Sequence, residues 1–340
     1  MNLLISALEP SANLHLEPIL QQLDNPKISG IFDPKFGEAL YSSSEFSVMG
    51  LMDVLPKILK AKEAIAEMVF LSRDVDTVLL IDSPAFNLPL AKAIKEKFPD
   101  KKIVYYILPK VWAWNKKRVK KIESYVDIQA SIFPFEKAFY KHCVYVGNPL
   151  LDEIKVTNDL SKDHKQIAFL PGSRKSEIQK LMPVFREISK ELSEKKVLIV
   201  PSFYKNKSLN HIYGDTSDFE ISYDLQKSLS CSNFAFICSG TATLEAALIG
   251  TPFVLAYIAK KIDYFIGSRV VNLNHVGLAN IIMDFEKQQA VHQEFLQDEV
   301  TKENLLNAYH TFDREVFSQN SQKLKTILAH GSVKNVVKML

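Results

Sequence analysis

The sequence predicts an α/β protein made of two halves, each a parallel sheet covered by helices. Three observations carry that expectation. In residues 234–258, two uninterrupted apolar runs, FAFIC and FVLAYI, flank a helix-sized block, TATLEAALI. Short β-branched and aromatic runs of this kind read as strands buried on both faces. Apolar runs ending in a polar turn then recur at residues 3–7, 78–81, 103–108, 128–132, 167–170 and 197–201. Finally, 340 residues exceed what a single core usually serves, and the polar run 152–165 is the natural linker. The expected domains are residues 1–155 and 160–312, with a C-terminal helix at about 315–340 packing back on the first.

The totals narrow the function classes. With 47% hydrophobic and 24% charged residues the composition is that of a globular protein. A net charge of +3 argues against bulk coating of nucleic acid. The three cysteines, Cys143, Cys231 and Cys238, are too few and wrongly spaced for a zinc cluster or a disulfide framework. No basic n-region or cleavage site precedes the first strand, so the expected location is the cytoplasm. A membrane span needs about 20 apolar residues in a row. Residues 228–259 hold a single charge, Glu245, but are broken at Ser239-Gly240-Thr241 and Gly250-Thr251-Pro252.

Taken in order, residues 3–7 form a strand, and Glu9-Pro10-Ser11-Ala12-Asn13 turn it into a helix capped by Ser11 or Asn13. Neither a dinucleotide fingerprint nor a P-loop follows. From Val48 to Phe70, apolar residues including Met52, Leu55, Ile58, Leu59, Ile65 and Val69 recur at helical spacing, and Pro56 should kink or interrupt that helix. Residues 65–69 read as sheet-packing. For residues 49–59, with Met49 adding apolar surface and Lys57, Lys60 and Lys62 alongside, contact with a membrane surface stands beside plain packing.

The strand at 78–81 delivers Asp82-Ser83-Pro84 at its carboxyl end, the functional end of a parallel sheet, where a carboxylate is placed for acid–base work. Asp74 and Asp76 precede the strand and read as a solvated turn. After the next strand, Pro109 and Trp112-Ala113-Trp114 lead into a stretch with six basic and no acidic residues from Lys110 to Lys121, including Lys116, Lys117 and Arg118. Interleaved with aromatics it suits lipid head groups or phosphate better than RNA. In the second half, Pro171-Gly172-Ser173-Arg174 follows a strand and opens a helix with Glu177 one turn in. The glycine admits close backbone approach, and a guanidinium fork matches phosphate oxygens. The Ser239-Gly240-Thr241 turn is a second helix start that favours an anion, with Glu245 placed to accept from a sugar hydroxyl. Two such turns at one sheet edge predict a diphosphate site. Residues 278–281, with Asn280, read as a loop able to close over a ligand, residues 264–271 with Arg269 as helix-like, and 295–298 as helix.

Together Met49-Gly50, the segment 81–87 (IDSPAFN), Pro109 with Val111-Trp112-Ala113-Trp114, Phe133-Pro134-Phe135-Glu136, Leu170-Pro171-Gly172-Ser173-Arg174 and the segment 239–245 (SGTATLE) resemble the lipid-A-disaccharide synthase family, in order over about residues 1–300. The resemblance implies a GT-B architecture, two Rossmann-like α/β domains facing across a cleft. It implies an inverting, metal-free and cofactor-free glycosyltransferase at the cytoplasmic face of the inner membrane of Gram-negative bacteria. The reaction it implies joins UDP-2,3-diacylglucosamine to 2,3-diacylglucosamine 1-phosphate and releases UDP.

Residue by residue, the resemblance makes Asp82 the general base, with Arg174 and the helix at Thr241 stabilising the departing UDP. Gly172, Ser173, Glu177, Ser239 and Gly240 would line the donor site, Glu245 would hold the ribose, and Asn280 would lie near the nucleotide. Glu9, Ser11 and Asn87 would belong to the acceptor side. Residues 49–59 and the basic run 116–121 would meet acyl chains and head groups, and a homodimer is compatible with the family. The first loop departs from the family pattern G-E-x-S-G-D: Glu9 and Ser11 are kept, whereas Leu8, Ala12 and Asn13 replace both glycines and the aspartate. Ala85 replaces a second aspartate. A UDP-GlcNAc 2-epimerase or another lipid-linked transferase would share the nucleotide half, and a non-catalytic lipid- or nucleic-acid-binding protein has no use for Asp82.

Overall fold

The computed structural model of the chain describes residues 1–47, 54–113, 115–259 and 273–340. Met49, Met52, Trp114 and the segment 264–271 with Arg269 lie outside the described residues, as does the side chain of Leu55. The chain divides into two units, Met1–Asp152 with Leu328–Leu340, and Glu153–Ile327. It re-enters the first unit at Leu328, later than the position near 315 expected from sequence.

The first unit contains β1 (Asn2–Ser6), β2 (Lys27–Phe32), β3 (Tyr41–Ser42), β4 (Thr77–Ile81), β5 (Lys102–Tyr106), β6 (Ile128–Ser131) and β7 (Cys143–Tyr145). They pair in parallel in the order β3-β2-β1-β4-β5-β6-β7. Side chains alternate between the sheet's faces. Leu4, Val78, Leu80, Ile103 and Tyr105 therefore meet Met68, Leu90 and Ile94 on one side. Leu3, Ile5, Leu79, Val104 and Tyr106 meet Leu16, Ile19, Val333 and Val336 on the other. Every β4 residue is buried, as its unbroken apolar run requires.

The terminal helix Ser332–Val337 covers the second face. Tyr106 Oη and Ser332 Oγ lie 2.8 Å apart, and Leu340 O accepts from Thr77 Oγ1 at 2.9 Å. Gly147, at φ 98°, lets the returning chain pass, because a Cβ there would stand 2.7 Å from Ala329 O.

Local chemistry explains where the first unit departs from the sequence reading. The helix Val54–Leu71 runs without interruption because Pro56 falls in its first turn, where no intrahelical N–H is lost. The helix Pro10–Gln22 has Glu9 as its N-cap, with no side-chain cap bond, so neither Ser11 nor Asn13 caps it. Asn13 is instead buried. It donates to Ala7 O and Glu9 O, both at 2.9 Å, and accepts from Asp33 N at 2.7 Å.

The second unit contains β8 (Gln166–Leu170), β9 (Lys195–Ile199), β10 (Glu220–Ser222), β11 (Phe234–Cys238), β12 (Phe253–Tyr257) and β13 (Gln293–Leu296). All pairs are parallel, in the order β10-β9-β8-β11-β12-β13. Phe169 stacks on Phe236 with centroids 5.2 Å apart, in a core with Phe185 and Val254. Each such side chain, fully buried, contributes roughly 1.5–3 kcal/mol.

Two expectations fail here. Residues 295–298 do not form a helix: Phe295 and Leu296 belong to β13, paired with Ala256 and Tyr257, and a 3-10 turn follows. A run rich in helix formers takes extended form because the edge of β12 offers a ladder of partners. Residues 278–281 are not a loop but the start of the helix Leu278–Phe285, which buries Ala279, Ile282 and Met283.

Candidate active site

Strand order reverses between β1 and β4 in the first sheet and between β8 and β11 in the second. Outside the carboxyl ends of the strands at such a reversal, an open parallel sheet offers its ligand crevice. Asp82, the 171–174 turn and the 239–241 turn all emerge there.

In the first unit, β4 runs into Asp82 and Ser83, which are left-handed at φ 52° and 42°. A residue with a Cβ bears roughly 1–2 kcal/mol in that region. Hydrogen bonds hold the turn nonetheless. Asp82 N donates to Tyr106 O at 3.1 Å, and Asp82 O accepts from Tyr105 Oη at 2.6 Å and from Asn87 Nδ2 at 2.7 Å. Asn87, fully buried, also accepts from Ser6 Oγ at 2.6 Å, which ties the ends of β1 and β4 together. The helix Pro84–Lys97 starts at once. Asp82 is half-buried. Glu9 stands on the exposed rim, and its carboxyl pKa is raised, first by partial desolvation and then by the negative charge of Asp82. The first loop and the strand end thus share one electrostatic environment. Ser11 is exposed on the same helix start. The hydroxyl of Ser83 is buried with no partner among the described residues.

In the second unit, Leu170 pairs with Ile237, so the two turns leave the sheet side by side. Gly172 sits at φ 104°, and a Cβ on it would lie 2.8 Å from Glu177 Oε2 and 3.1 Å from Cys238 Sγ. Arg174 is the N-cap of the helix Lys175–Glu191. Its guanidinium donates to Glu177 Oε1 at 2.9 Å and its backbone N to Oε2 at 3.3 Å. The arginine side chain is 78% exposed and that of Glu177 only 10%, so the carboxylate is an anchor that aims the guanidinium outward. Ser173 is exposed, and its carbonyl accepts from Tyr204 Oη at 3.0 Å.

Beside this turn, Gly240 and Thr241 are exposed at the start of the helix Thr241–Ile249, and Ser239 is half-buried. Glu245 lies on that helix. Its pKa is raised by burial, against a hydrogen bond from Gln226. Burial also pushes the Cys238 thiol up to about 12, so it stays protonated beneath the turn.

Asn280 does not face a ligand opening. It is fully buried, donating to His292 O at 2.9 Å and Glu294 Oε1 at 2.8 Å and accepting from Val291 N at 2.7 Å. Trp112 is also no surface aromatic: it is 7% exposed and donates through Nε1 to Glu136. Of the basic run, Lys116 and Lys117 are exposed and Arg118 partly so. Ile58 and Leu59 are 50% and 58% exposed. Lys60 pairs with Glu45 at 2.6 Å and lies over the rings of Tyr41 and Phe46. Sequence reasoning missed Tyr105 and Gln226. For Tyr105, the signal was a tyrosine in a strand where phenylalanine would bury as well.

The fold is shared with solved structures. Acinetobacter baumannii MurG superposes with a TM-score of 0.62 at 12% identity, covering 99% of this chain and 98% of that one. A UDP-GlcNAc 2-epimerase from Neisseria meningitidis, bound to UDP-GlcNAc, gives 0.60 at 12% identity, covering 100% and 99%. Two parallel sheets, each with its turns at the reversal point, define a two-domain protein of the GT-B fold class.

Within that class, the family described as lipid-A-disaccharide synthetase matches residues 3–336. Lipid-A-disaccharide synthase of Campylobacter jejuni strain RM1221 is 50% identical over 99% of this chain and 98% of its own length. That of Helicobacter pylori strain G27 is 48% identical over 98% and 96%. The chain belongs to the lipid-A-disaccharide synthase family.

Proposed function

We propose that the chain joins UDP-2,3-diacylglucosamine to 2,3-diacylglucosamine 1-phosphate, with Asp82 as general base. The observation that carries this reading is the strained, hydrogen-bonded Asp82–Ser83 turn at the end of β4. Strain held by several partners marks a position where the backbone is kept for a purpose. Asp82 takes the proton of the acceptor's 6-hydroxyl while that oxygen bonds to the donor's anomeric carbon. The bond from that carbon to the UDP oxygen breaks, and the configuration inverts. Charge building on the diphosphate meets the Arg174 guanidinium, aimed by Glu177, and the free N–H groups at the helix start of Thr241. Gly172, Ser173, Ser239 and Gly240 border the same turns, and Glu245 is the candidate ribose ligand. Asn280 is better assigned to the packing of the Leu278–Phe285 helix than to the nucleotide.

Both substrates carry acyl chains, so the protein works at a membrane surface, with Ile58 and Leu59 as exposed apolar contacts and Lys116, Lys117 and Arg118 meeting anionic head groups. Among the described residues no helix is long and apolar enough to cross a membrane. This fits peripheral attachment to the inner membrane.

The test is a radiolabelled assay with both glycolipids, read for disaccharide. Asp82→Ala should cut turnover by about 10²–10⁴-fold while UDP affinity stays unchanged. Normal turnover in that variant would remove Asp82 from the mechanism.

A further inference from the structure

Glu136 is 1% exposed and takes no part in the reaction above. It lies in the 3-10 segment Pro134–Ala138 that follows β6. Its Oε1 accepts from Trp112 Nε1 at 3.0 Å, and its Oε2 stands 2.5 Å from Ser131 Oγ. That hydroxyl, itself fully buried, also stands 2.7 Å from Phe133 O and accepts from Phe133 N at 3.1 Å.

A serine hydroxyl carries one hydrogen. If Glu136 were ionised, that hydrogen would serve either the carboxylate or Phe133 O, and the other pair of oxygens would face each other with no proton between them. A proton on Glu136 Oε2 satisfies the whole group: Glu136 donates to Ser131, Ser131 donates to Phe133 O, and Trp112 donates to Glu136. Burial acts in the same sense, raising the carboxyl to about 7 against the hydrogen bonds and the charge of Lys110. The other titratable groups around it are Tyr140, just before β7, and Cys143 on β7, both kept protonated by burial.

What the carboxyl group holds is the segment leaving β5. The Trp112 ring packs edge-on to Phe133 and Phe135, with centroids at 6.2 and 5.4 Å. Pro109 O accepts from Tyr140 Oη at 2.8 Å. The same strand end supports Asp82, through Tyr105 Oη and Tyr106 O.

We propose that Glu136 is a positioning residue: as a neutral carboxylic acid it closes the Ser131–Phe133 turn against which Trp112 packs, and its ionisation, which keeps the bond from Trp112 Nε1 but leaves Ser131 Oγ and Phe133 O one hydrogen short, shifts that turn and slows turnover. The inference rests on the reading of Asp82 as the base.

The chain has two tryptophans, so Trp114→Phe leaves Trp112 as the sole emitter. In that variant the Trp112 emission should titrate with a midpoint of about 7. Adding Glu136→Gln should abolish the titration and fix the emission of the acid form, because the amide still donates to Ser131 and accepts from Trp112. In the otherwise wild-type protein, turnover should fall about tenfold on the alkaline side of that midpoint, within what a small misplacement of a positioned group costs. Glu136→Gln should flatten that limb, with circular dichroism confirming its fold. Emission that ignores pH, or that titrates equally in both variants, would overturn the coupling between Glu136 and that turn. Emission that titrates as described while turnover keeps its alkaline limb in Glu136→Gln would overturn the positioning role. Failure of the Asp82 reading shows separately, as full turnover in Asp82→Ala whatever the emission does.

Discussion

The two units place a left-handed residue at the same point of the same kind of sheet, yet they build it differently. At the end of β8 the residue is Gly172, at φ 104°, lying against Glu177 and Cys238. Near the end of β4 it is Asp82 followed by Ser83, both with side chains, at φ 52° and 42°. A glycine adopts that conformation without steric cost and lets a ligand approach the backbone. Asp82 and Ser83 bear the cost, and the structure offsets it with bonds from Tyr105 and Asn87 and one to the β5 backbone. Under the function proposed above, the two turns answer different needs: bare backbone near a diphosphate in the second unit, and a carboxyl group in a fixed place in the first.

That comparison can be broken from either side. The largest effect among the three changes belongs to Gly172→Ala. The added Cβ meets Glu177 Oε2 at 2.8 Å and Cys238 Sγ at 3.1 Å in a conformation that disfavours side chains. It should lower stability by about 1–3 kcal/mol and weaken UDP binding, as calorimetry on the purified protein would read. Unchanged affinity would mean that this turn does not meet the nucleotide.

Next comes Asn87→Ala, which removes the link between β1 and β4 and one of the bonds on Asp82 O. It should cost roughly 1–3 kcal/mol in denaturant unfolding and should lower kcat without weakening UDP binding. A variant that loses stability yet keeps full kcat would show that the turn's rigidity is not used in catalysis.

The smallest effect is expected for Ser83→Gly. It relieves a left-handed side chain and removes a buried hydroxyl with no partner among the described residues. Stability should rise by up to about 1 kcal/mol, seen as a higher denaturant midpoint with an unchanged slope. A loss of stability would place a hidden partner on that hydroxyl.

Much of this was legible from sequence because strand ends announce themselves. β4 and β11 are fully buried apolar runs closed by polar turns, so Asp82 and Ser239-Gly240-Thr241 could be placed at a carboxyl edge without coordinates. Residues 293–296 were not legible, since their composition favours a helix and only the open edge of β12 makes them a strand. Asn280 looked like a loop residue facing a ligand, but the apolar positions around it wind into a helix that buries it against His292 and Glu294. Trp112 read as a surface aromatic within a basic run because its partner Glu136 lies 24 residues further on.

The sequence by itself determined that buried strands end in polar turns, the family, and which residue types stand at the ends of β4, β8 and β11, because these follow from local periodicity and short motifs. Only the tertiary structure decided how those residues are held. Asn87 reaches Ser6 across 81 positions and Tyr105 reaches Asp82 across 23. Hydrogen bonds of such separation depend on strand order, and strand order depends on which apolar faces are buried together.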